Sequence, residues 1–240
     1  MRILILGYGK MGKTIEQIAL KRNHTVPYKI DLSNQHDLLK LDKSEIDVAI
    51  EFSSPESAFE NIKICLEKGI PVVSGTTGWL EKKQEIIDLT NKTKGGFFYA
   101  SNYSVGVNLF FHLNKILARI MNNFPDYTVT MEEIHHTEKK DAPSGTAITL
   151  AEGVIEHLDR TKKWINEESQ TSGELPIISK RIDKVPGTHT VDYSTKVDSI
   201  EIKHTAHTRE GFAEGAVIAA EWLKGKQGVF GMDDMLKINI

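Results

Sequence analysis

The stretch Arg2-Ile3-Leu4-Ile5-Leu6-Gly7-Tyr8-Gly9-Lys10-Met11-Gly12 decides the fold. A short unbroken apolar run, a glycine turn, and then Met11, Ile15, Ile18 and Ala19 at helical spacing read as a buried strand feeding a helix. In that context the three glycines do different things. Gly7 permits the tight turn, Gly9 lets the backbone approach a pyrophosphate, and Gly12 lets the helix pack closely on the strand. The pattern is weak alone, and the flanking strand and helix give it weight. Dinucleotide binding is the expectation.

Outward from there, Thr25 to Ile30 reads as a second strand ending at Asp31. Asp31 lies roughly 20 residues beyond Gly12, the offset of an acid that holds an adenosine ribose. A competing reading makes it only a cap on the Ser33-Asn34 turn. Leu32, Ser33 and Asn34 offer no guanidinium for a 2′-phosphate, although Lys29 is within reach, so the cofactor is NADH or NADPH with a slight lean to NADH. Asp47 to Phe52 is the next strand, followed by a helix capped by Ser54 with Pro55 at its first position and ending at Gly69. Pro71 to Ser74 then delivers Gly75-Thr76-Thr77-Gly78 to the C-terminal end of a strand, where open α/β sheets bind ligands. That loop suits a nicotinamide or ribose; the alternative is a tight connection. Phe97 to Ala100 is a fifth strand.

After Ser101 to Gly106 the alternation of strand and helix stops. A helix from near Val107, a strand from Tyr127 to Ile134, another helix and three strand-like runs follow, at Ile177 to Ile182, His189 to Ser194 and Asp198 to His204. Between them, 159–174 is polar and reads as a surface loop. The fold class is therefore α/β: a Rossmann-type dinucleotide-binding domain over 1–105 and 209–240, and an α+β substrate domain with a mixed open sheet over 106–208. Small residues along Phe212, Ala216, Ala219, Ala220 and Leu223 suit a last helix that packs back on the first domain.

The chemistry is concentrated in Glu133-Ile134-His135-His136-Thr137-Glu138-Lys139-Lys140-Asp141-Ala142-Pro143-Ser144-Gly145-Thr146-Ala147. Histidines and lysines followed at once by a helix N-terminus make a receptor for a small polyanion that must also receive a proton. Ser144 reads as the N-cap, Gly145 allows close approach of an oxygen-rich ligand, and Thr146 adds a hydroxyl. Adjacent residues on a strand face opposite ways, so His135 and His136 have different roles. The same geometry makes them a poor chelate, and no metal is expected. The bland readings are a solvated face for one of Lys139 and Lys140 and a mere cap for Ser144.

Composition sets the limits. The 240 residues are 40% hydrophobic and 26% charged with a formal charge of −3, a globular pattern with no drive toward nucleic acid or acidic membranes. No apolar run approaches the ~20 residues that span a bilayer, and Ile3 to Leu6 is too short for a signal peptide. A cytoplasmic protein is expected. The single cysteine, Cys65, lies with Ala58 and Ile62 on the apolar face of its helix, which suits a core position.

Together these motifs resemble the 4-hydroxy-tetrahydrodipicolinate (dihydrodipicolinate) reductases of bacterial diaminopimelate and lysine synthesis. The resemblance covers essentially the whole chain. It rests on Gly7 to Gly12, Gly75 to Gly78, Asn102-Tyr103-Ser104-Val105-Gly106-Val107-Asn108, His135 to Ala147, and Arg209 with Phe212 to Ala216. It implies reduction of a cyclic dicarboxylate with NADH or NADPH, with loss of water. It also implies His135 as general acid and Lys139 as proton donor, with His136, Lys139, Ser144, Gly145 and Thr146 on the substrate carboxylates. Cofactor contacts are expected at Gly7, Tyr8, Gly9, Lys10, Met11, Gly12, Asp31, Phe52, Gly75, Thr76, Thr77, Ala100, Asn102 and Tyr103. A homotetramer assembled through the second domain is implied as well. The chain departs from longer members in its short stretch between Asp31 and Asp47, and in Leu32, where many members carry a basic residue.

Two other readings compete. Another NAD(P)-dependent amino-acid-precursor dehydrogenase, such as aspartate-semialdehyde dehydrogenase, needs a nucleophilic thiol that a core Cys65 does not supply. A non-catalytic dinucleotide-binding redox sensor has no use for the His135 to Thr146 cluster.

Overall fold

The computed structural model describes residues 1–208 and 210–238. Arg209, part of the resemblance above and the start of the expected second segment of the first domain, lies outside them, as do Asn239 and Ile240. The described chain forms two compact units, one made of Met1–Val105 with the chain from Glu210 onward, the other running from Gly106 to Thr208.

In the first unit, β1 (Arg2–Leu6) is followed by α1 (Lys10–Lys21), β2 (Thr25–Ile30), a 3-10 turn (Leu32–Lys40), β3 (Val48–Glu51), α2 (Pro55–Glu67), β4 (Val72–Ser74), α3 (Lys83–Thr93) and β5 (Gly96–Tyr99). Ile3 to Leu6 are fully buried, as expected of an inner parallel strand covered on both faces. β1 pairs in parallel with β2 on one side and β3 on the other, so the order of strands reverses beside Gly7. That reversal is the topological switch point at which open α/β sheets bind ligands.

The second unit holds α4 (Val105–Met121), which begins at the last residue of the first, then β6 (Thr128–His135), α5 (Gly145–His157), β7 (Lys163–Ile165), β8 (Glu174–Arg181), β9 (Gly187–Ser194) and β10 (Ser199–Ala206). Its sheet has the order β10-β9-β6-β8-β7 and is mixed: β6 is antiparallel to β9 and parallel to β8. Strand alternation sends Val129, Met131, Val191, Tyr193, Leu175 and Ile177 into a core shared with Phe110 and Ala118 of α4 and with Leu150, Ala151 and Val154 of α5. The opposite face, with Thr128 and Thr130 exposed and Ile178 half-buried, carries no helix of this core.

The chain then returns to the first unit. α6 (Glu210–Leu223) packs its small residues Ala213, Ala216, Ala219 and Ala220 against Ile3, Ile5, Ile15, Val48 and Ile50, and is followed by β11 (Gly228–Phe230) and α7 (Met232–Leu236). β11 extends the first sheet in parallel from β5, giving six strands in the order β11-β5-β4-β3-β1-β2.

Two short strands lie where none is expected from the sequence. β7 falls inside the polar segment read as a loop and pairs Lys163 to Glu174 and Ile165 to Pro176. β7 and β11 are three residues each, too short to show alternation, and both take their form from a neighbouring strand. Cys65 is fully buried, and burial pushes its thiol up to about 12.

Candidate active site

At the switch point, Gly7 has φ +89°, and a Cβ there would stand 2.0 Å from the Phe52 carbonyl oxygen. Only glycine is accommodated, because an L side chain is disfavoured by both the backbone and the neighbour. A Cβ on Gly12 would meet the Gly7 oxygen at 2.2 Å, whereas around Gly9 the space is open. Close packing at two glycines and open approach at the third match a pyrophosphate turn. Gly7, Gly9, Asp31, Phe52, Ser53 and Ser57 help line a cleft of about 210 Å³. The glycine turn and this small cleft are what would hold the pyrophosphate and the adjoining ribose of a dinucleotide.

Asp31 caps the turn that follows it. Its carboxylate accepts from the Leu32 N–H at 2.9 Å while its own N–H donates to Asn34 Oδ1 at 2.7 Å, which is a cap, and it also faces the cleft. Lys29, the nearby cation considered for a 2′-phosphate, is engaged by Glu16 at 2.6 Å, and Leu32 is 78% exposed.

A buried carboxylate missed in the sequence organises the loops after β3 and β4. Glu51, fully buried, accepts from the Ser53 N–H at 2.9 Å, Ser74 Oγ at 2.7 Å and Thr76 Oγ1 at 2.8 Å. The Thr76 hydroxyl is thus turned inward. Tyr103 is likewise buried, its hydroxyl donating to the Ser74 carbonyl at 2.7 Å and its ring 5.6 Å from that of Phe52. Tyr8 bonds Glu16 through its hydroxyl, Met11 packs on the core, and Asn102 Oδ1 accepts from the Ser104 N–H at 2.9 Å. Lys10 and Thr77 are exposed, Gly75 is half-buried and Ala100 is buried.

In the second unit the polar residues gather at one end of the core face of the sheet. The register sets Glu133 opposite His189 and His189 opposite His204, while Arg181 lies beside His135 on β8. His135 is buried, and its Nδ1 bonds the fully buried Glu133 carboxylate. Arg181 donates to the other Glu133 oxygen at 2.9 Å and to the Asp141 carbonyl at 2.6 Å. Burial alone would raise the Glu133 carboxyl, but hydrogen bonds from His135, Ser179 and Arg181 outweigh it and hold the group at about 2. It is therefore an anion at any working pH.

His136 follows the end of β6, half-buried, and its carbonyl accepts from the Lys139 N–H at 3.1 Å. The Lys139 ammonium sits 2.8 Å from both Asp141 oxygens, and that contact lowers the Asp141 carboxyl. Lys140 is exposed. Ser144 caps α5, its Oγ accepting from the Ala147 N–H at 3.2 Å; Gly145 is exposed with open space above it, and Thr146 is half-buried. Buried His189 stands behind this cap, with Nε2 3.1 Å from Ser144 Oγ and its ring edge-on to His135 at 5.1 Å. Burial, with His135 next, pushes the His189 imidazole down to about 3, so it stays neutral.

Glu133, His135 and His189 also present ligand-type atoms within 4.8 Å of one another. The Glu133 carboxylate is already shared, one oxygen with His135 Nδ1 and the other with the Arg181 guanidinium, and His189 Nε2 is engaged by Ser144.

Glu133, Arg181 and His189 have no role in the reading of the sequence alone. Glu133 was findable, since positions two apart on a strand share a face and Glu133 therefore accompanies His135. Arg181 and His189 enter through strand register, which spacing along the chain does not disclose.

The model of the family described as dihydrodipicolinate reductase, N-terminus, matches residues 1–103, and that of its C-terminus matches residues 106–236. The chain belongs to the dihydrodipicolinate reductase family. A 4-hydroxy-tetrahydrodipicolinate reductase of Christiangramia forsetii is 52% identical over 237 residues, covering 98% of each chain. One from Methanosarcina acetivorans is 36% identical over 233 residues, 95% of this chain and 86% of its own. Among solved structures, a dipicolinate-bound dihydrodipicolinate reductase from Paenisporosarcina sp. TG-14 superposes with a TM-score of 0.76 at 24% identity, covering 98% of each chain, a likeness of fold. This reductase-family chain has the α/β fold expected for it, a parallel Rossmann-like sheet and a second, mixed sheet.

Proposed function

We propose that the protein catalyses the NAD(P)H-dependent reduction of 4-hydroxy-tetrahydrodipicolinate to tetrahydrodipicolinate, with loss of water, in diaminopimelate and lysine synthesis. The observation that supports this most is the pairing of Glu133 with His135 beside Lys139 and the Ser144-capped helix. Cations, a hydrogen-bonded imidazole and a helix N-terminus together suit a cyclic dicarboxylate that takes up a proton.

The bound nicotinamide would supply a hydride, leaving as NAD(P)+. Gly7, Gly9 and Gly12 would hold the pyrophosphate and Asp31 the adenosine ribose, with Phe52, Gly75, Thr77 and the backbone at Thr76, Ala100, Asn102 and Tyr103 toward the rest of the cofactor. The remaining expected contacts, Tyr8, Lys10 and Met11, would serve from the same turn. With Leu32 exposed and Lys29 occupied by Glu16, NADH is the preferred donor.

His136, Lys139, Ser144, Gly145 and Thr146 would bind the substrate carboxylates. A proton from the neighbouring ring carbon and the hydroxide leave together as water, forming a ring C=C bond conjugated with the C=N. Hydride then adds to the carbon that bore the hydroxyl, and the electron pair displaced through the ring takes up one proton as a new C–H bond at the neighbouring carbon. His135, held by Glu133, is the proton donor in this reading, and Lys139 shares the delivery. Glu133 fixes the imidazole with Nδ1–H toward the carboxylate and leaves Nε2 to exchange a proton.

Two further parts of the reading concern assembly and place. The outer face of the second sheet, uncovered by its own helices, suits pairing between copies and supports a homotetramer. No helix among the described residues is long and apolar enough to cross a membrane, in keeping with a cytoplasmic enzyme. A thiol-dependent dehydrogenase is disfavoured by the buried Cys65, held up at about 12.

Isotope transfer tests the reaction. With substrate made in situ and a cofactor deuterated at the transferring position, one deuterium should appear on a ring carbon of the product. A product without deuterium would sink the proposal.

A further inference from the structure

Ser144 has two roles in the proposed function, capping α5 and donating to a substrate carboxylate, and one hydroxyl must be directed to do both. Its Oγ already accepts from the Ala147 N–H at 3.2 Å. The second close partner is His189 Nε2 at 3.1 Å. Which atom gives the proton depends on the tautomer of His189.

The surroundings of the ring decide it. His189 Nδ1 is buried and has no hydrogen-bonding partner among the described residues. A buried N–H without an acceptor is rarer in folded proteins than a bare acceptor without a donor. The proton therefore belongs on Nε2, pointing at Ser144. The ring is locked in this attitude by His135, edge-on at 5.1 Å, and His189 is only 5% exposed. Room for that pair comes from Gly187 on the same strand, where a Cβ would stand 3.0 Å from His135 Nε2.

We infer that His189 is a positioning residue: its Nε2–H and the Ala147 N–H fill both lone pairs of Ser144 Oγ, so the Ser144 hydrogen is directed away from both and toward the substrate carboxylate. A hydroxyl that accepts two hydrogen bonds is also a stronger donor, because each accepted bond polarises its O–H. Ser144 is thereby both cap and anion donor. With its imidazole pushed down to about 3, His189 does not add a charge that would change this with pH. The inference rests on the proposed contact of Ser144 with the substrate.

The test uses the full-length protein. His189→Leu removes the donor, whereas His189→Gln places an amide N–H near the position of Nε2. A contact made equally in the ground and transition states is lost in KM and not in kcat. We expect His189→Leu to raise the substrate KM about fivefold, with kcat and the NADH KM nearly unchanged, and His189→Gln to recover most of the loss. Ser144→Ala should raise KM as well, and adding His189→Leu to it should cost nothing more. An unchanged KM in His189→Leu with an impaired Ser144→Ala would overturn this inference alone. Equal losses in the Leu and Gln variants, or effects that multiply in the double variant, would overturn it too. An unaffected Ser144→Ala would instead remove Ser144 from the substrate contact and take the inference with it. Nitrogen-15 NMR of the imidazoles gives a reading independent of turnover or of any variant's folding: the His189 proton is expected on Nε2, and a proton on Nδ1 overturns the assignment.

Discussion

Glu133 is the residue at which stability and proposed chemistry meet, so Glu133→Gln is the perturbation with most to say. The side chain is fully buried and shared between His135 and Arg181, the latter at 2.9 Å. A carboxyl held at about 2 against an ordinary 4.5 corresponds to about 3 kcal/mol of stability at neutral pH. The folded-state value is depressed, so this stability is fully present above the unfolded value and is lost as pH falls from about 4.5 toward about 2. Glutamine keeps the size and removes the charge. Urea unfolding at matched protomer concentration should show the variant about 3 kcal/mol less stable at pH 7. The gap should close progressively as the wild type is taken through the acid window. A gap below about 0.5 kcal/mol at pH 7, or one that does not narrow with acid, would refute the account of Glu133 as a buried anion holding its partners.

Other substitutions separate the remaining roles. His135→Gln should lower kcat by about 100-fold or more while leaving the NADH KM in place, and unchanged turnover would take His135 out of proton delivery. Lys139→Ala should lower kcat and also raise the substrate KM; a variant with normal kinetics would return Lys139 to the solvated surface. Gly7→Ala sets a methyl against the Phe52 carbonyl at 2.0 Å and φ +89°, so titration with NADH should show binding abolished or the protein unfolded, and normal affinity would contradict the turn geometry. Leu32→Arg puts a guanidinium beside Asp31, and the ratio of NADPH to NADH turnover should rise at least tenfold.

Much of the fold could be read from the chain because its signals are local. Gly7 announces its turn through the apolar run before it and the helix after it, and Ser144 announces its helix through the spacing of Ala147, Leu150, Ala151 and Val154. β7 and β11 stay hidden because three residues show no period, and their form comes from β8 and β5. The site divides in the same way. His135, Lys139 and Ser144 sit in one continuous segment, whereas Arg181 and His189 reach it across strands β8 and β9. Thr76 and Tyr103 show the converse. Cofactor contact is expected of both, of Tyr103 through its backbone, and nothing local in the sequence announces that their hydroxyls go to Glu51 and to the Ser74 carbonyl, partners that only the folded sheet brings within reach.

The most direct test of the central claim is oxidation of NADH, and separately of NADPH, with substrate generated in situ from pyruvate and aspartate semialdehyde by the upstream synthase. The account predicts rapid oxidation that depends on the synthase and is faster with NADH. No synthase-dependent oxidation with either cofactor, in protein shown to bind one of them, would contradict it and leave a dinucleotide-binding sensor as the better description.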